Sequence, residues 1–362
     1  MIREMGVQGV TVREIFGLDE GTMETVPKPI YGLVLLFRYR ALDEEAESKC
    51  PKNIWFANQM PNQNSCATLA MLNILMNTKN VDIGENLQQF KEFTSDFTPY
   101  LKGQEVAHFE FVKTIHNSFA KKMDMLQADV QLKNNYEKDA KKGRRGAGKE
   151  DTPPDDEEAH HFIAFLPIDG EVWKLDGMDK VPTLVGTYEE EVDWLDVAQP
   201  RLSEIMQSGG DNDYALFGLV QNPLVGLRDS LCSNVVTLDR VESRLTKIDE
   251  KWTEKVEDMG IDAPLRSPGI LSGFGVTEDQ FAATKIPENV EALIEGEGMD
   301  DLFARRLQLC IKNADLQGRI LGEMASETEE NEKADARRFD YGPVLQTWLR
   351  MLAENGYLEE NL

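Results

Sequence analysis

The chain has 362 residues, of which 39 are basic and 65 acidic, and its net charge is −26. This charge disfavours nucleic acid and anionic membranes as main partners, and no apolar run approaches the length of a membrane span. The four cysteines, at positions 50, 66, 232 and 310, are far apart and form no CxxC pair. They therefore indicate neither a zinc site nor a disulfide framework, and we expect no cofactor and a reducing compartment.

The first 223 residues mix helix and strand patterns. The predicted elements, in chain order, are a short helix around residues 12–16, a buried strand at Tyr31–Phe37, a helix beginning near Cys66, helices over residues 84–123, two strands at Phe162–Pro167 and Glu171–Leu175, a helix over Val192–Met206, and a strand at Tyr214–Val220. Such a mixture predicts an α/β or α+β domain over residues 1–223.

Residues 131–158 differ from their surroundings. They contain the basic cluster Lys141–Arg145, several glycines, two prolines and the acidic run Asp155–Glu158, with no apolar periodicity. This composition predicts a long mobile loop, although the basic cluster alone could also be a nuclear localisation or docking patch.

The composition changes again after this domain. Residues 224–259 predict a charged helical arm, residues 260–286 a flexible linker or insertion, and residues 287–362 a C-terminal helical domain. Because this part is poor in apolar residues, we expect it to pack on the first domain or on a partner rather than to form a core of its own.

Cys66 begins an apolar helical run, and a cysteine in the first turn of a helix lies at the positive end of the helix dipole. That position lowers the pKa of the thiol and favours the nucleophilic thiolate, although an inert buried cysteine is the commoner case on position alone. Gln59 lies seven residues upstream, within reach of an oxyanion site.

His161 begins a predicted strand, and Asp176 follows the second strand of the same hairpin. A hairpin can bring these two side chains together, as a general base and its orienting carboxylate. The same Asp-Gly sequence is also an ordinary turn. His108 and His116 lie in helical patterns, and we interpret them as structural or exposed.

The order glutamine, cysteine, histidine, aspartate is that of papain-like enzymes. The segments Phe56-Ala-Asn-Gln59, Asn64-Ser-Cys-Ala-Thr68, His161-Phe162 and Leu175-Asp-Gly177 resemble the ubiquitin C-terminal hydrolase family of cysteine peptidases. The resemblance extends over about residues 1–222, and Arg338–Leu358 resembles the C-terminal helical domain of the longer, proteasome- and chromatin-associated members.

This resemblance implies that residues 1–223 are a catalytic domain of papain-like fold, with a central antiparallel sheet flanked by helices, and it implies a residue-by-residue assignment. Cys66 would be the nucleophile, His161 the general base and acid, Asp176 the residue that orients His161, and Gln59 the oxyanion donor together with the Cys66 backbone N–H. Residues 131–158 match the family's loop over the active site. The family usually spaces its glutamine six residues before the cysteine, whereas the interval here is seven.

The implied function is hydrolysis of amide or ester bonds after the C-terminal glycine of ubiquitin, in the cytoplasm and nucleus. The acidic end of the chain favours the proteasome-associated subtype, with residues 339–362 binding a proteasomal adaptor. Two alternatives remain open. One is a catalytically weak ubiquitin-binding scaffold that docks on a proteasome or chromatin adaptor, and the other is a papain-like peptidase of broad specificity.

Overall fold

The computed structural model describes residues 1–38, 50–61, 64–119, 160–189, 191–208, 214–257 and 266–357. Within these ranges an antiparallel sheet of six strands has helices on both faces and is followed by further helices. This architecture confirms the predicted α/β (α+β) class. In the described ranges, no helix combines the length and the apolar character needed to cross a membrane. The predicted loop at residues 131–158 lies outside them.

The sheet is built around its second strand. The strands are β1 (Val10–Ile15), β2 (Ile30–Arg38), β3 (His160–Ile168), β4 (Glu171–Leu175), β5 (Thr183–Thr187) and β6 (Tyr214–Gln221). They are ordered β1-β6-β2-β3-β4-β5, and each neighbouring pair is antiparallel. Since β2 lies between β3 and β6, it is bonded on both edges, and its alternating side chains are buried on both faces.

Two apolar layers cover the sheet. The helices of this part are α1 (Glu20–Glu24), α2 (Cys66–Leu75), α3 (Glu85–Phe93), α4 (Pro99–His108), α5 (Glu110–Ser118) and α6 (Trp194–Ser208). Helix α2 packs with Val34 and Ala164 on one face, whereas α6 packs with Leu33 and Phe165 on the other. The cysteine helix is therefore held against the centre of the sheet.

The predicted short helix at residues 12–16 is wrong, because this segment belongs to β1. Strand β1 pairs with β6 from Val10 opposite Gln221 to Ile15 opposite Leu216. This pairing joins segments that are about 200 residues apart in sequence, so tertiary contact overrides the local helical pattern.

The β3–β4 connection has the tight geometry that the Asp-Gly sequence predicts. Asp169 and Gly170 have φ values of 51° and 84°, so both lie in the left-handed region. Two such residues between paired strands match the twist of a hairpin. The turn fixes the register in which Ala164 lies opposite Leu175.

The chain divides into two compact units, one comprising residues 1–221 and 332–362 and the other residues 222–331. The remaining helices are α7 (Pro223–Ile248), α8 (Trp252–Glu257), α9 (Pro268–Gly273), α10 (Glu278–Ala283), α11 (Glu288–Gly296), α12 (Met299–Arg338) and α13 (Gly342–Glu354). The first boundary lies two residues before the predicted limit at residue 223. Beyond it, the three predicted segments 224–259, 260–286 and 287–362 do not correspond to separate units, because residues 222–331 cluster together.

The second unit has apolar clusters of its own, contrary to the prediction that this part lacks a core. One cluster joins Leu231 of α7 to Ile320 of α12. It also includes Leu271 and Val276, which lie in the segment predicted as a flexible linker or insertion. That segment instead contains α9 and α10, and its few apolar side chains are sufficient because they insert between longer helices.

Residues 332–338, at the end of α12, group with the unit that contains residues 1–221. Arg338 forms an ion pair with Glu4, and its guanidinium lies 4.1 Å from the ring centroid of Phe119. The neighbouring Arg337 donates to the backbone oxygen of Phe119 at 3.0 Å. These contacts join the end of α12 to the N-terminal segment and to the residue after α5.

Candidate active site

Cys66 is the first residue of α2 and is buried. The preceding residue, Ser65, has the N-cap position but makes no side-chain capping hydrogen bond, so it does not compete for the N–H groups of the first turn. The backbone N–H groups of Ala67 and Phe162 hydrogen-bond to the sulfur instead. The start of α2 therefore supplies donors that stabilise a thiolate.

His161 and Asp176 form a buried hydrogen-bonded pair. The distance from His161 Nε2 to Asp176 Oδ1 is 2.7 Å, and the two residues are 4% and 5% exposed. The β3–β4 register explains this contact, since its continuation by one residue places Asp176 opposite Ile163, on the same face as His161. Phe37 lies edge-on to the His161 ring at a centroid distance of 6.1 Å.

The turn after β4 fixes the carboxylate of Asp176. Its Oδ1 also accepts a hydrogen bond from the backbone N–H of Met178 at 2.9 Å, and its backbone oxygen accepts from Asp179 N–H at 3.0 Å. Asp179 in turn forms an ion pair at 3.1 Å with Lys174, whose side chain is 3% exposed. The turn thus fixes the position of the carboxylate independently of its contact with His161.

The electrostatics of Cys66 and His161 favour a charged pair. Burial alone would lower the pKa of His161, but its hydrogen bonds and charge interactions with Asp176 and Cys66 outweigh burial and raise that pKa to about 9. Burial alone would raise the pKa of Cys66, but the hydrogen bond and charge of His161, together with two backbone N–H groups, lower it. Since Nε2 is bonded to Asp176, we infer that Nδ1 faces the sulfur.

Gln59 is joined to the same site through its backbone. Its N–H donates to the oxygen of Gly177, the residue after Asp176, at 2.8 Å. The side chain of the preceding Asn58 donates to the backbone oxygen of Asp179. One residue earlier, the N–H of Ala57 donates at 3.0 Å to the side chain of Asn73, which is buried in the cysteine helix.

The Gln59 segment is therefore connected both to α2 and to the turn that holds the aspartate. Residues 62 and 63, in the interval before the cysteine, lie outside the described residues. The role of Gln59 as oxyanion donor stays a prediction.

The structure thus brings Cys66, His161 and Asp176 together. Two backbone supports at the site, Phe162 N–H and Gly177 O, have no signature in side-chain type, so a motif search does not find them. His108 is exposed, and its Nδ1 contacts the Gln104 backbone oxygen in its own helix at 2.7 Å. His116, in contrast, is half-buried and contacts Thr68 in the first turn of α2.

Metal ligands are not clustered in the part of the chain that the structure describes, where no group of three or more His, Cys, Asp or Glu side chains could hold an ion. All four cysteines are free thiols. The groups that the structure brings together at the site are a thiolate, an imidazolium and a carboxylate.

The family model and two relatives that match this chain all carry the name ubiquitin carboxyl-terminal hydrolase. Residues 1–207 match the family model described as ubiquitin carboxyl-terminal hydrolase, family 1. A Dictyostelium discoideum protein named ubiquitin carboxyl-terminal hydrolase isozyme L5 is 32% identical over 250 residues, which are 68% of this chain and 66% of that protein. Ubiquitin carboxyl-terminal hydrolase ubh-4 of Caenorhabditis elegans is 34% identical over 227 residues, 61% of this chain and 63% of that protein.

The matched part thus spans slightly less than two thirds of these relatives' length. Among solved structures, Trichinella spiralis UCH37 bound to ubiquitin vinyl methyl ester aligns with a TM-score of 0.48 and 25% identity. That alignment covers 64% of this chain and 80% of that one.

Proposed function

We propose that this chain, which belongs to family 1 of the ubiquitin carboxyl-terminal hydrolases, is a cysteine-type deubiquitinase. Its substrates would be conjugates joined by an amide or ester bond to the C-terminal glycine of ubiquitin, and its role would lie in ubiquitin-dependent protein catabolism in the cytoplasm and nucleus. The observation that carries this proposal is the contact of Cys66 with a histidine that Asp176 holds at 2.7 Å.

The first half of the reaction uses the charged pair. The Cys66 thiolate attacks the carbonyl carbon of the terminal glycine, and the resulting oxyanion is held by the Cys66 backbone N–H and the Gln59 amide. The carbon–nitrogen bond then breaks as His161 gives its proton to the leaving amine, and a thioester between Cys66 and ubiquitin remains. With a pKa of about 9, His161 is charged at neutral pH and acts first as an acid.

The second half restores the enzyme. His161, now neutral, takes a proton from water while the water oxygen attacks the thioester carbon. The carbon–sulfur bond then breaks, which regenerates the thiolate beside the imidazolium and releases ubiquitin as its carboxylic acid, which gives its remaining proton to solvent. Asp176 keeps the ring in one orientation through both halves and stabilises its charged form.

Recognition would rest on the extended C-terminal tail of ubiquitin, which would bind in the active-site groove. The substrate that the family resemblance implies, ubiquitin, has a C-terminal tail that is rich in arginine. A chain with a net charge of −26 is complementary to such a tail. Complementary charge raises the rate of encounter more than it raises affinity. We therefore propose ubiquitin as the partner, with neither nucleic acid nor membrane involved.

The proposed adaptor site lies on residues 339–362. In the described part of this segment, eight large apolar side chains are each 49–62% exposed: Phe339, Tyr341, Val344, Leu345, Trp348, Leu349, Met351 and Tyr357. Most lie on α13, and a helix with this much uncovered apolar surface is typical of one that binds a partner. We propose that a proteasomal adaptor covers it.

The enzyme proposal is tested with a fluorophore attached to the C terminus of ubiquitin and with an electrophilic ubiquitin probe. We expect Cys66→Ser to abolish hydrolysis and probe labelling with little change in the thermal midpoint. Cys50→Ser is the control, because Cys50 is a half-buried thiol and its burial raises its pKa. This variant should behave as the unaltered chain. If the unaltered chain binds ubiquitin but forms no adduct, the scaffold alternative is correct. Cleavage of casein would instead favour a broad peptidase.

The adaptor proposal is tested by capture of proteasome subunits. Deletion of residues 339–362, or Trp348→Asp alone, should abolish capture while most hydrolysis of the ubiquitin fluorophore remains. Ile311→Asp changes an equally exposed residue, 63% accessible on α12, and should not affect capture. Capture that survives the deletion would show that the adaptor site lies elsewhere.

A further inference from the structure

His116 contacts the start of the cysteine helix from a neighbouring helix. It lies on α5, near the end of that helix, and is half-buried. Its side chain lines a cavity of about 230 Å³ whose other walls include Asn64, Ser65 and Thr68. These three residues flank Cys66 on both sides. The cavity thus adjoins the segment that carries the nucleophile.

The ring is bonded to both ends of this segment. Its Nδ1 lies 2.8 Å from the hydroxyl oxygen of Thr68, a residue that is 2% exposed. It also hydrogen-bonds to the backbone of Asn64, in a way that favours the charged ring. A bond with that effect must be donated by the ring, so its acceptor is the Asn64 carbonyl. One imidazole therefore connects residues 64 and 68.

The segment between these two anchors contains the groups on which the proposed reaction depends. Cys66 provides the sulfur and the backbone N–H that would bind the oxyanion, and Ala67 provides an N–H that stabilises the thiolate. Ser65, at the N-cap, makes no side-chain capping bond, so the helix start is not fixed by its own cap. The contacts of His116 supply the restraint that a capping side chain would otherwise give.

We propose that His116 is a positioning residue that fixes the backbone of residues 64–68 and thereby aims the Cys66 N–H at the oxyanion. This inference rests on the proposed hydrolase function. His116 does not touch the reacting atoms, since its contacts are with Thr68 and Asn64. It acts through the geometry of the helix start.

The ordinary state of the ring suits this role. Burial lowers the pKa of His116, and the bond to Asn64 only partly opposes burial, so the ring is neutral at physiological pH. A neutral imidazole has one donor and one acceptor. It can therefore donate to the Asn64 carbonyl and accept from the Thr68 hydroxyl at the same time. Glutamine also has a donor and an acceptor at the end of its side chain, and is the conservative replacement.

The experiment compares two reactions of Cys66 in the full chain. Hydrolysis of the ubiquitin fluorophore needs both the thiolate and the oxyanion donors, whereas alkylation by iodoacetamide needs only the thiolate. His116→Ala should lower kcat about 10- to 100-fold, since loss of a complete oxyanion donor costs about 10²–10³. KM should change less than about threefold, because the substrate contacts are unaltered. The alkylation rate from pH 5 to 10 should fall much less than kcat, because His161 still stabilises the thiolate when the Ala67 N–H loses its alignment.

Three further variants separate positioning from folding. His116→Gln should recover most of the lost kcat. Thr68→Val, which also removes a contact at 3.5 Å with the sulfur of Met1, should give an intermediate loss. His108→Ala, which changes the exposed histidine of α4, should have no effect. Because His116 borders a cavity, its replacement should leave the thermal midpoint within a few degrees of the unaltered chain.

The inference is overturned if the unaltered chain hydrolyses the ubiquitin fluorophore and His116→Ala retains its kcat. It is also overturned if alkylation falls in parallel with kcat, or if glutamine recovers nothing while the variant is folded. A chain that shows no hydrolysis before any substitution contradicts the proposed function instead. The alkylation profiles distinguish these outcomes.

Discussion

Asp176→Asn is expected to separate the charge of the aspartate from its structural role. Asparagine retains an oxygen that can accept from Met178 N–H, so the turn after β4 should persist. What is lost is the negative charge 2.7 Å from His161 Nε2. The substitution should therefore act on the protonation of His161 rather than on the fold.

The size of the effect follows from the raised pKa. A change from 6.5 to about 9 corresponds to about 3 kcal/mol in favour of the charged ring, at about 1.4 kcal/mol for each pH unit. A buried hydrogen bond to a charged partner contributes about 1.5–3 kcal/mol. Loss of the charge should thus lower the pKa of His161 by about one to two pH units.

The assay is the pH dependence of two rates, alkylation of Cys66 and kcat/KM for the ubiquitin fluorophore. The charged pair exists at pH values above the lowered pKa of Cys66 and below the pKa of His161. The fall in both rates at high pH therefore measures the pKa of His161. In Asp176→Asn the alkaline limb should move down from about 9 by one to two pH units. At pH 8 we expect kcat/KM to fall about 10²- to 10⁴-fold, because both the charge and the orientation of the ring are impaired.

Asp169→Asn is the matched control, since Asp169 lies at the other end of the same hairpin and asparagine tolerates its left-handed backbone. It should leave both profiles unchanged. An alkaline limb that stays near pH 9 in Asp176→Asn would refute the argument that Asp176 holds the charge on His161.

Two other substitutions test the packing. In Gly177→Ala the new Cβ would lie 2.7 Å from Leu69 Cδ2 and 3.2 Å from Gln59 N. We therefore expect a loss of about 1–3 kcal/mol in the free energy of unfolding and a lower kcat in ubiquitin-fluorophore hydrolysis. An unchanged thermal midpoint and kcat would contradict this expectation. Arg306→Ala removes the buried guanidinium that lies 2.9 Å from Glu242. This change should destabilise residues 222–331 by about 2–3 kcal/mol in urea denaturation and leave the alkylation of Cys66 unaffected. An unaltered unfolding midpoint would contradict this prediction.

The parts of the site that local sequence determines could be predicted. The Asp169-Gly170 turn specifies a two-residue hairpin, and the hairpin register then places Asp176 beside His161. The helix at Cys66 follows from apolar periodicity. In each case the decisive contacts join residues that are close in sequence or related by one turn.

The parts that were predicted wrongly or missed depend on distant contacts. β1 has a short pattern that does not decide between helix and strand, and only its pairing with β6 makes it a strand. Leu271 and Val276 are sparse apolar residues in a glycine-containing segment, and their burial depends on the helices around them. His116 contacts Thr68 across 48 positions of sequence, a relation that spacing cannot indicate.

The position of β6 has a consequence for how the protein is made. Both edges of β2 are bonded only after residues 214–221 have left the ribosome, although Cys66 is synthesised much earlier. At about 5–20 residues per second, the interval is about 8 to 30 seconds. During that time the edge of β2 that later pairs with β6 is open to pairing with other chains, and its other edge is open as well until β3 has emerged. We expect a nascent chain without β6 to be inactive and to need protection from aggregation until its last strand is in place.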